Sequence, residues 1–487
     1  MMPMTSAAFA YSDLRGWIHE AERLGKLKRV AGAHWDKEIG CISELMAERD
    51  TSALLFDEIP GYPKGFRVLS NAFIDLKPTA LVLGAAEDLS RVEMVDAWRQ
   101  KLKAATPLCS VDVGVGPVTE HVLTGPKADL LRFPAPLWHE KDGGRFLGTG
   151  CAVVTKDLDD GWVNVGTYRC RVVDHNRITV AANPGKHGTD MMKKYHAQGK
   201  PFPVAIVCGM DPLVFLSAGH PYTGSGECAY DFAGGLRGSP IEVVEGETTG
   251  LPVPASAELV IEGEIPPPPM TEMVEDGPFG EWKRSYSSGT HPVMEVKSIM
   301  HRTDPIILGV APLKAHIPFP FSIPVMASEV WNVLEYAGIP GVTGVWFGLG
   351  LIWPVFLVIS IKQSYAGQAK QAALAAASCR ANTVGGMYVI VVDDDIDITN
   401  EKDVLLAVAG RATIEDIQVI HGMTTKAPIG PGSRRHRAAG ENRHLLSSRV
   451  LIDACWPFAR RDEFPHSTAF DQAYAHQVLE KWKGSLL

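Results

Sequence analysis

The sequence predicts a mixed α+β and α/β protein in which an antiparallel sheet region precedes a βαβ-type domain. Three successive patterns of hydrophobic residues along the 487 residues support this fold class. Helical patterns alternate with short apolar runs at first, short period-two segments follow, and β-branched runs then alternate with helical patterns. We therefore predict an N-terminal α/β segment at 1–110, an antiparallel barrel at 111–310, a C-terminal α/β domain at 320–460 and a terminal helix at 467–487.

The N-terminal segment combines two helices with a strand pair. Residues 12–27 have an amphipathic pattern, and Ser12 is the expected N-cap. Strands are predicted at 52–59 and 66–73, on either side of the turn PGYPKG, and a second helix at 90–105.

The middle region consists of short segments that Gly, Pro and Asp separate, which is typical of antiparallel strands. The tetraproline at 266–269 blocks both a helix and a central strand, so we place it in a connection. The predicted strand segments are 150–157, 162–174, 177–184, 202–209, 241–246, 257–265 and 293–302.

The C-terminal region alternates helical and strand patterns, as a βαβ domain requires. The predicted helices are 327–338, 367–379, 400–411 and, at the terminus, 467–482. The predicted strands are 355–361, 387–397 and 447–455.

Composition excludes several classes of protein. Hydrophobic residues make up 46% and charged residues 21%, as in soluble globular proteins. The formal net charge of −9 argues against a general nucleic-acid-binding surface, which is basic. Residues 336–361 carry no charge, but five glycines and two prolines interrupt them, so we predict a loop and buried strands instead of a membrane helix.

Eight scattered cysteines without a C-x-x-C pair indicate reduced thiols in a cytoplasmic protein, with neither a zinc site nor a disulfide framework. The N-terminus lacks the pattern of a secretory signal.

The acidic run DDDID at 393–397 is either a metal cluster or a strand end with a helix cap, and we favour the cap. The basic run at 433–437 is a solvated loop or a phosphate ligand.

Three stretches carry residues suited to chemistry. In NVGTYRCRVV, Asn164 and Arg169 face opposite sides of a strand unless a bulge intervenes. His187 lies in a Gly-rich loop after a strand, where it is either a ligand or a surface residue. In DGPFGEW, Asp276 and Glu281 bracket a stiff Gly-Pro-Phe-Gly turn.

Taken together, these motifs resemble the UbiD family of decarboxylases, which use prenylated FMN. The resemblance implies a cofactor domain built on a split β-barrel like that of flavin reductases, followed by an α/β oligomerisation domain. It also implies a homodimer or homohexamer. The motifs that carry it are NVGTYR at 164, NPGKH at 183, DFAGGLRG at 231, PASAELVIEGE at 254, DGPFGE at 276, IKQ at 362 and VVDDDID at 391.

The resemblance implies a metal site that holds the cofactor phosphate. Asn164 and His187 match two ligands of Mn²⁺ (or Mg²⁺), which hard oxygen donors and one imidazole suit, and K⁺ often accompanies this ion. Where the family has a glutamate as third ligand this chain has Ala229, so the ligand is Glu227 or Asp231. We favour Glu227 because a period of two would keep it on the same face of a strand.

Two further residues, Thr167 and Lys186, are also expected to contact the cofactor, as is Arg169. The family's catalytic trio of Glu, Arg and Glu maps onto Asp276, Arg169 and Glu281. Asp276 and Arg169 are expected to orient the substrate carboxylate, and Glu281 to donate the proton. Glu275 is the alternative for the first acid, but Asp276 keeps the five-residue spacing to Glu281.

The implied function is the reversible, non-oxidative decarboxylation of an aromatic, heteroaromatic or α,β-unsaturated carboxylic acid. A flavin prenyltransferase would supply the cofactor, which acts as the electron sink. We expect substrate specificity in residues 311–326 and 424–437. There Lys314 and the basic run could meet a second anionic group, and His316, Phe319 and Phe321 either line an aromatic pocket or belong to the core.

Two other functions stay open at this stage. A flavin-binding oxidoreductase on the same barrel would not need the trio of Arg169, Asp276 and Glu281. A catalytically silent subunit of a multi-component carboxylase would account for Ala229 in the metal motif.

Overall fold

The structure is a computed structural model, and it describes residues 9–181, 185–220, 226–282, 285–311, 322–348, 355–383, 385–425, 446–463, 470 and 472–486. All statements below concern these residues. They confirm the predicted mixed α/β fold class.

The N-terminal unit packs helices against a small sheet. Its elements are α1 (Leu14–Arg23), β1 (Leu27–Ala31), α2 (Glu38–Arg49), β2 (Ala53–Asp57), β3 (Arg67–Ser70), α3 (Leu76–Leu83) and α4 (Arg91–Ala104). The predicted N-cap Ser12 is wrong, because Asp13 caps α1 by accepting a hydrogen bond from the Gly16 N–H. The helix predicted at 90–105 is confirmed, and Ser90 and Glu93 form a capping box at its start.

The middle unit is rich in short strands. Its strands are β4 (Val111–Asp112), β5 (His121–Thr124), β6 (Phe146–Gly148), β7 (Cys151–Lys156), β8 (Val163–Gly166), β9 (Cys170–Arg171), β10 (Arg177–Thr179), β11 (Phe202–Cys208), β12 (Glu242–Glu245), β13 (Pro252–Pro254), β14 (Leu259–Ile265), β15 (Met273–Glu275), β16 (Phe279–Trp282), β17 (Ser285–Ser287) and β18 (Thr290–His301). The next strand, β19 (Ile306–Leu308), returns to the N-terminal sheet, where it pairs with β3. Its helices are α5 (His187–Ala197), α6 (Pro212–Ala218) and α7 (Ala229–Arg237).

An eight-stranded antiparallel sheet forms the centre of this unit, in the order β10-β18-β14-β11-β7-β8, with β5 and β15 also paired to β18. The central strand β11 is buried on both faces: Ala205 and Val207 pack into one apolar cluster, and Val204 and Ile206 into the other. Because side chains alternate along a strand, one run of small and branched residues serves two cores.

Two segments that we assigned to loops or strands are helices. His187 is the first residue of α5, not a loop residue, and Met191 anchors this helix in the core. The segment after Cys228 is α7, so the period-two argument that placed Glu227 and Asp231 on one strand face is wrong. The tetraproline does lie in a connection, between β14 and β15.

The C-terminal unit is a five-stranded sheet in the order β20-β21-β22-β24-β23, in which β21, β22 and β24 run parallel. Its elements are α8 (Ser322–Tyr336), β20 (Val342–Gly348), β21 (Phe356–Ile361), α9 (Gln368–Ser378), β22 (Tyr388–Asp393), α10 (Glu401–Arg411), β23 (Ile417–Thr424), β24 (Leu446–Ala454) and the terminal helix α11 (Gln472–Leu486).

The uncharged stretch at 336–361 supplies β20 and β21, as predicted, although residues 349–354 lie outside the described part. Among the helices that the structure describes, none combines the length and the hydropathy that crossing a membrane requires. At the acidic run, Asp393 and Asp395 both pair with Arg411, and the Asn400 side chain caps α10. These contacts account for the run as a strand end and a helix cap.

Candidate active site

A largely buried ion pair in the middle unit joins Arg169, which directly precedes β9, to Asp276, which directly follows β15. Arg169 Nε donates to Asp276 Oδ2 at 3.0 Å and Nη2 to Oδ1 at 2.8 Å. The Asp276 side chain is fully buried and that of Arg169 is 14% exposed. Two parallel N–H···O bonds fix both groups in one plane and in one orientation.

Aromatic side chains enclose this ion pair. The rings of Phe146 and Phe279 lie 4.4 Å apart, and the Arg169 guanidinium is 5.2 Å from the Phe279 centroid. The buried His291 places Nε2 3.7 Å from Asp276 Oδ1. The ion pair therefore sits among rings that exclude water, where its electrostatic interaction is stronger than at the surface.

Of the two neighbouring acids, Asp276 is the one that meets Arg169. Glu275 is exposed, and its main chain pairs with Thr290 in β18. Its carbonyl oxygen also accepts a hydrogen bond from Arg171 Nη2 at 2.8 Å. Since successive residues of an extended chain point in opposite directions, only one of the two carboxylates can face the arginine.

Glu281, the expected proton donor, lies in β16. Among the residues that the structure describes, this strand pairs only with β17, and the pairing is irregular between Gly280 and Trp282. Glu281 is thus the extra residue of a bulge, an arrangement that is frequent beside active sites. For Glu281 the structure describes the main chain, and the side chain lies outside the described part.

A second group of expected residues lies in and around β8. Asn164 is buried, and its Nδ2 donates to Thr155 Oγ1 at 3.0 Å. The Tyr168 hydroxyl accepts from the Gly188 N–H at 3.3 Å. Burial raises the pKa of the Tyr168 phenol, so it stays protonated at neutral pH. Tyr168 thereby joins β8 to the first turn of α5.

His187 and Glu227 meet at Trp162, which directly precedes β8. The Trp162 and His187 rings are 5.0 Å apart, and Trp162 Nε1 donates to the Glu227 carbonyl oxygen at 3.1 Å. Asp231, the alternative ligand, is in the first turn of α7, where its Oδ1 accepts from the Ser110 N–H at 3.1 Å. Trp162 thus contacts both the His187 ring and the Glu227 main chain, whereas the Asp231 carboxylate is engaged by the Ser110 main chain.

The expected ligands comprise one imidazole, one carboxylate and one amide oxygen. A group of three or more His, Cys, Asp or Glu side chains suited to a metal ion does not occur in the part of the chain that the structure describes. The expected set of His187, Glu227 and Asn164 is not a group of that kind, because its third donor is an amide.

The two remaining cofactor residues flank these groups. Thr167 lies between β8 and β9, beside the end of α6, and Lys186 is the exposed N-cap residue of α5. The expected specificity residues Lys314, His316, Phe319 and Phe321, and the basic run at 433–437, lie outside the described residues.

Sequence reasoning missed several residues of this site. Tyr168 stands inside the recognised motif NVGTYR, so its position was a usable signal. His291, and the pair of His139 and Asp142 described below, reach the site only through tertiary contacts and leave no local pattern.

Three family models match the chain in order. They are the N-terminal domain of 3-octaprenyl-4-hydroxybenzoate carboxy-lyase at residues 18–98, its Rift-related domain at 110–315 and its C-terminal domain at 323–454. Together they span most of the chain.

Relatives agree with these matches. The pyrrole-2-carboxylic acid decarboxylase of Pseudomonas aeruginosa is 33% identical over 500 residues, covering 96% of this chain and 97% of that protein. The UbiD-class enzyme HmfF from Pelotomaculum thermopropionicum, solved with FMN, superposes with a TM-score of 0.80 at 26% identity, covering 96% of this chain and 100% of the other. An evolved dimeric form of that enzyme, solved with prFMN, gives a TM-score of 0.77 at 25% identity, covering 96% and 100%.

Proposed function

This chain belongs to the UbiD family of carboxy-lyases, and from that premise we propose that it decarboxylates an aromatic, heteroaromatic or α,β-unsaturated carboxylic acid with prenylated FMN. The observation that carries the proposal is the buried two-point pair of Arg169 and Asp276. A guanidinium that is held this firmly can present its outer N–H groups to a substrate carboxylate without reorganising.

The reaction breaks the bond between the substrate carbon and its carboxylate, and CO₂ leaves without the electron pair. Prenylated FMN, when bound, supplies the electron sink for that pair. Arg169 orients the departing carboxylate, and Asp276 holds Arg169 in place. Glu281 then transfers a proton to the carbon that has lost CO₂, and in the carboxylation direction it accepts that proton back.

The cofactor phosphate is assigned to the region where β8 meets α5. Asn164, His187 and Glu227 would bind Mn²⁺ or Mg²⁺ there, with K⁺ as a companion ion. The buried amide of Asn164 and the converging contacts of Trp162 fit this role. Thr167, from the connection between β8 and β9, and Lys186 complete the set. Lys186 stands at the start of α5, where the N–H groups of the first helical turn favour an anion.

The substrate class and the partners extend the proposal. The relative that acts on pyrrole-2-carboxylic acid makes a heteroaromatic acid the first compound to test. A flavin prenyltransferase must supply the cofactor, and we expect a homodimer or a homohexamer. All eight cysteines are free, which supports action in the reducing cytoplasm.

The decisive experiment is production of the chain together with a flavin prenyltransferase, followed by a CO₂-release assay on a panel of carboxylic acids. The panel should include pyrrole, furan, hydroxybenzoic and cinnamic acids. We expect a bound chromophore with the mass of prenylated FMN and CO₂ release from at least one acid. A flavin-loaded protein that releases no CO₂ would favour an oxidoreductase, and a colourless protein would favour a silent subunit.

A further inference from the structure

Residues 139–144, which we call the brace, lie directly against the turn that carries Asp276 and Glu281. We propose that Asp142 in this brace is a positioning residue for Glu281, acting through the main chain of Gly280. The inference rests on the proposed function, because it concerns the placement of the proposed proton donor.

The Asp142 carboxylate is fully buried and accepts three hydrogen bonds. It accepts from the His139 N–H at 2.9 Å, from His139 Nδ1 at 3.0 Å and from the Gly280 N–H at 2.9 Å. Gly280 is the residue before Glu281. Hydrogen bonds to an ionised acceptor are roughly twice as strong as neutral ones, so this contact holds β16 firmly at that point.

The main chain of the brace lies so close to the turn that there is little room for a side chain between them. The Gly143 N–H donates to the Pro278 carbonyl oxygen at 2.6 Å, and a Cβ on Gly143 would lie 2.1 Å from the Gly277 oxygen. A Cβ on Gly280 would lie 2.8 Å from His139 Nδ1. The main chain of the turn therefore leaves no room for a side chain at Gly143, and the His139 ring leaves little at Gly280.

Two further contacts fix the brace. Arg171 donates from Nη1 to the Gly143 carbonyl oxygen at 3.2 Å and from Nη2 to that of Glu275 at 2.8 Å. At the other end, the Lys141 N–H donates to the Tyr286 hydroxyl at 3.2 Å. The brace is therefore linked through Arg171 to β15, which precedes the turn, and through Tyr286 to β17, the partner strand of β16.

The bulge explains why β16 needs such a support. An isolated two-stranded ribbon is marginally stable, and a bulge removes part of its ladder. Strand pairing with β17 therefore cannot fix Glu281. Asp276 is held by Arg169, whereas Glu281 depends on the hydrogen bond between Gly280 and Asp142. The two acids thus have separate anchors.

The test compares Asp142→Ala and Asp142→Asn with Glu262→Gln. Glu262 is also a fully buried carboxylate that accepts a main-chain N–H, that of Thr249 at 3.1 Å, but it lies in β14, outside the proposed site. The two main-chain donors, the N–H groups of His139 and Gly280, bind different oxygens of Asp142. The amide that Asp142→Asn introduces can keep only one of these two bonds, because its other end is itself a donor. Gly280→Ala is a second variant, which keeps Asp142 and displaces the main chain through His139.

Two measurements decide the matter. In flavin-free protein, amide hydrogen exchange of Gly280 should accelerate at least about tenfold in Asp142→Ala, less in Asp142→Asn and not in Glu262→Gln. In flavin-loaded protein, kcat should fall about 10- to 100-fold in Asp142→Ala and Gly280→Ala at unchanged KM, and the alkaline limb of its pH profile should move, because that limb reports the proton donor.

Unchanged Gly280 exchange in Asp142→Ala overturns the inference, and so does faster exchange with wild-type kcat. Loss of bound flavin in both Asp142→Ala and Gly280→Ala overturns it too, because it would mean a role in cofactor binding. A wild-type protein that releases no CO₂ defeats the proposed function instead. The exchange measurement on flavin-free protein still reports whether Asp142 holds Gly280 in that case.

Discussion

Arg169 and Asp276 are 107 positions apart in the chain and meet through two hydrogen bonds of 3.0 and 2.8 Å. The aspartate is fully buried, both of its oxygens accept from the arginine, and His291 lies close to one of them. Asp is one methylene shorter than Glu, and the extended chain after β15 brings it close enough to make the pair. The shorter acid is therefore accommodated by the position of its main chain.

Asp276→Asn should destabilise the fold as well as abolish turnover. Breaking a buried ion pair by removing one charge typically lowers the free energy of unfolding by about 3–5 kcal/mol, because the other charge stays buried. Urea unfolding of the flavin-free protein measures this loss. Glu295→Gln is the control, since its pair with Lys297 is exposed and should contribute less than about 1 kcal/mol. Equal losses in the two variants would contradict the prediction.

Glu281→Gln should lower kcat about 10²- to 10⁴-fold, the usual contribution of a general acid, and keep its flavin. Glu275→Gln changes the exposed neighbouring acid and should stay close to wild type. CO₂ release and flavin absorbance, measured on the same samples, give both quantities. The assignment of the proton donor is wrong if Glu275→Gln loses turnover and Glu281→Gln does not.

His187→Gln should reduce the Mn²⁺ and flavin content of the purified protein. Outer-shell partners alone are worth about 10- to 100-fold in metal affinity, so losing a ligand should lower Mn²⁺ occupancy at least about tenfold. His196→Gln is the control, because His196 lies in the last turn of the same helix and bonds the Ile265 carbonyl oxygen. Elemental analysis and the absorbance spectrum provide the readouts. Equal metal contents would remove His187 from the metal site.

Gly143→Ala and Gly144→Ala are adjacent substitutions with different expected effects. A Cβ on Gly143 meets the Gly277 main-chain oxygen at 2.1 Å, whereas one on Gly144 meets the flexible Arg171 side chain at 3.0 Å. Overpacking against main chain should lower the free energy of unfolding by about 1–3 kcal/mol, and the Gly144 variant should lose less than about 1 kcal/mol. Urea unfolding compares the two. Similar losses would show that the brace can withdraw from the turn.

Lys101 predicts a measurable pH dependence of stability. Burial, and then the charge of Arg237, lower the pKa of Lys101 from 10.5 to about 8. Above pH 8 the folded protein releases this proton while the unfolded chain keeps it up to its higher pKa, so stability rises with pH in that window.

Between about pH 7 and about pH 9.5 the wild type should therefore gain about 2 kcal/mol relative to Lys101→Met, measured by urea unfolding at both pH values. The Lys101 ammonium also lies 3.9 Å from the Phe9 ring and donates to the Leu83 carbonyl oxygen. Both contacts favour the charged form, so they reduce the gain in stability between the two pH values. A variant whose stability changes with pH like that of the wild type would contradict the assignment.

Most of the strands and helices that the structure confirms were predicted from regular hydrophobic patterns and helix caps. The alternating segments at 202–209, 257–265 and 293–302 became β11, β14 and β18, and the helix predicted at 400–411 begins with its Asn400 cap. Such elements follow from local periodicity and capping, which are properties of consecutive residues.

Two of the failures occur where glycines made a helix hard to predict. Gly185 and Gly188 around His187, and Gly234 and Gly235 in α7, favoured loop or strand assignments. In both helices buried residues, among them Met191 and Leu236, provide tertiary packing that outweighs the intrinsic preference of glycine.

The sequence by itself determined the class of fold, many of its strands and helices, the family and the residue types that the chemistry needs. Tertiary structure alone decided that Asp276 and not Glu275 meets Arg169, that the Asp231 carboxylate accepts from the Ser110 N–H, and that Asp142 accepts from the Gly280 N–H. The reason is physical. Periodicity and capping act over a few residues, whereas which side chain faces a site depends on strand direction, bulges and main-chain contacts between segments far apart in the chain.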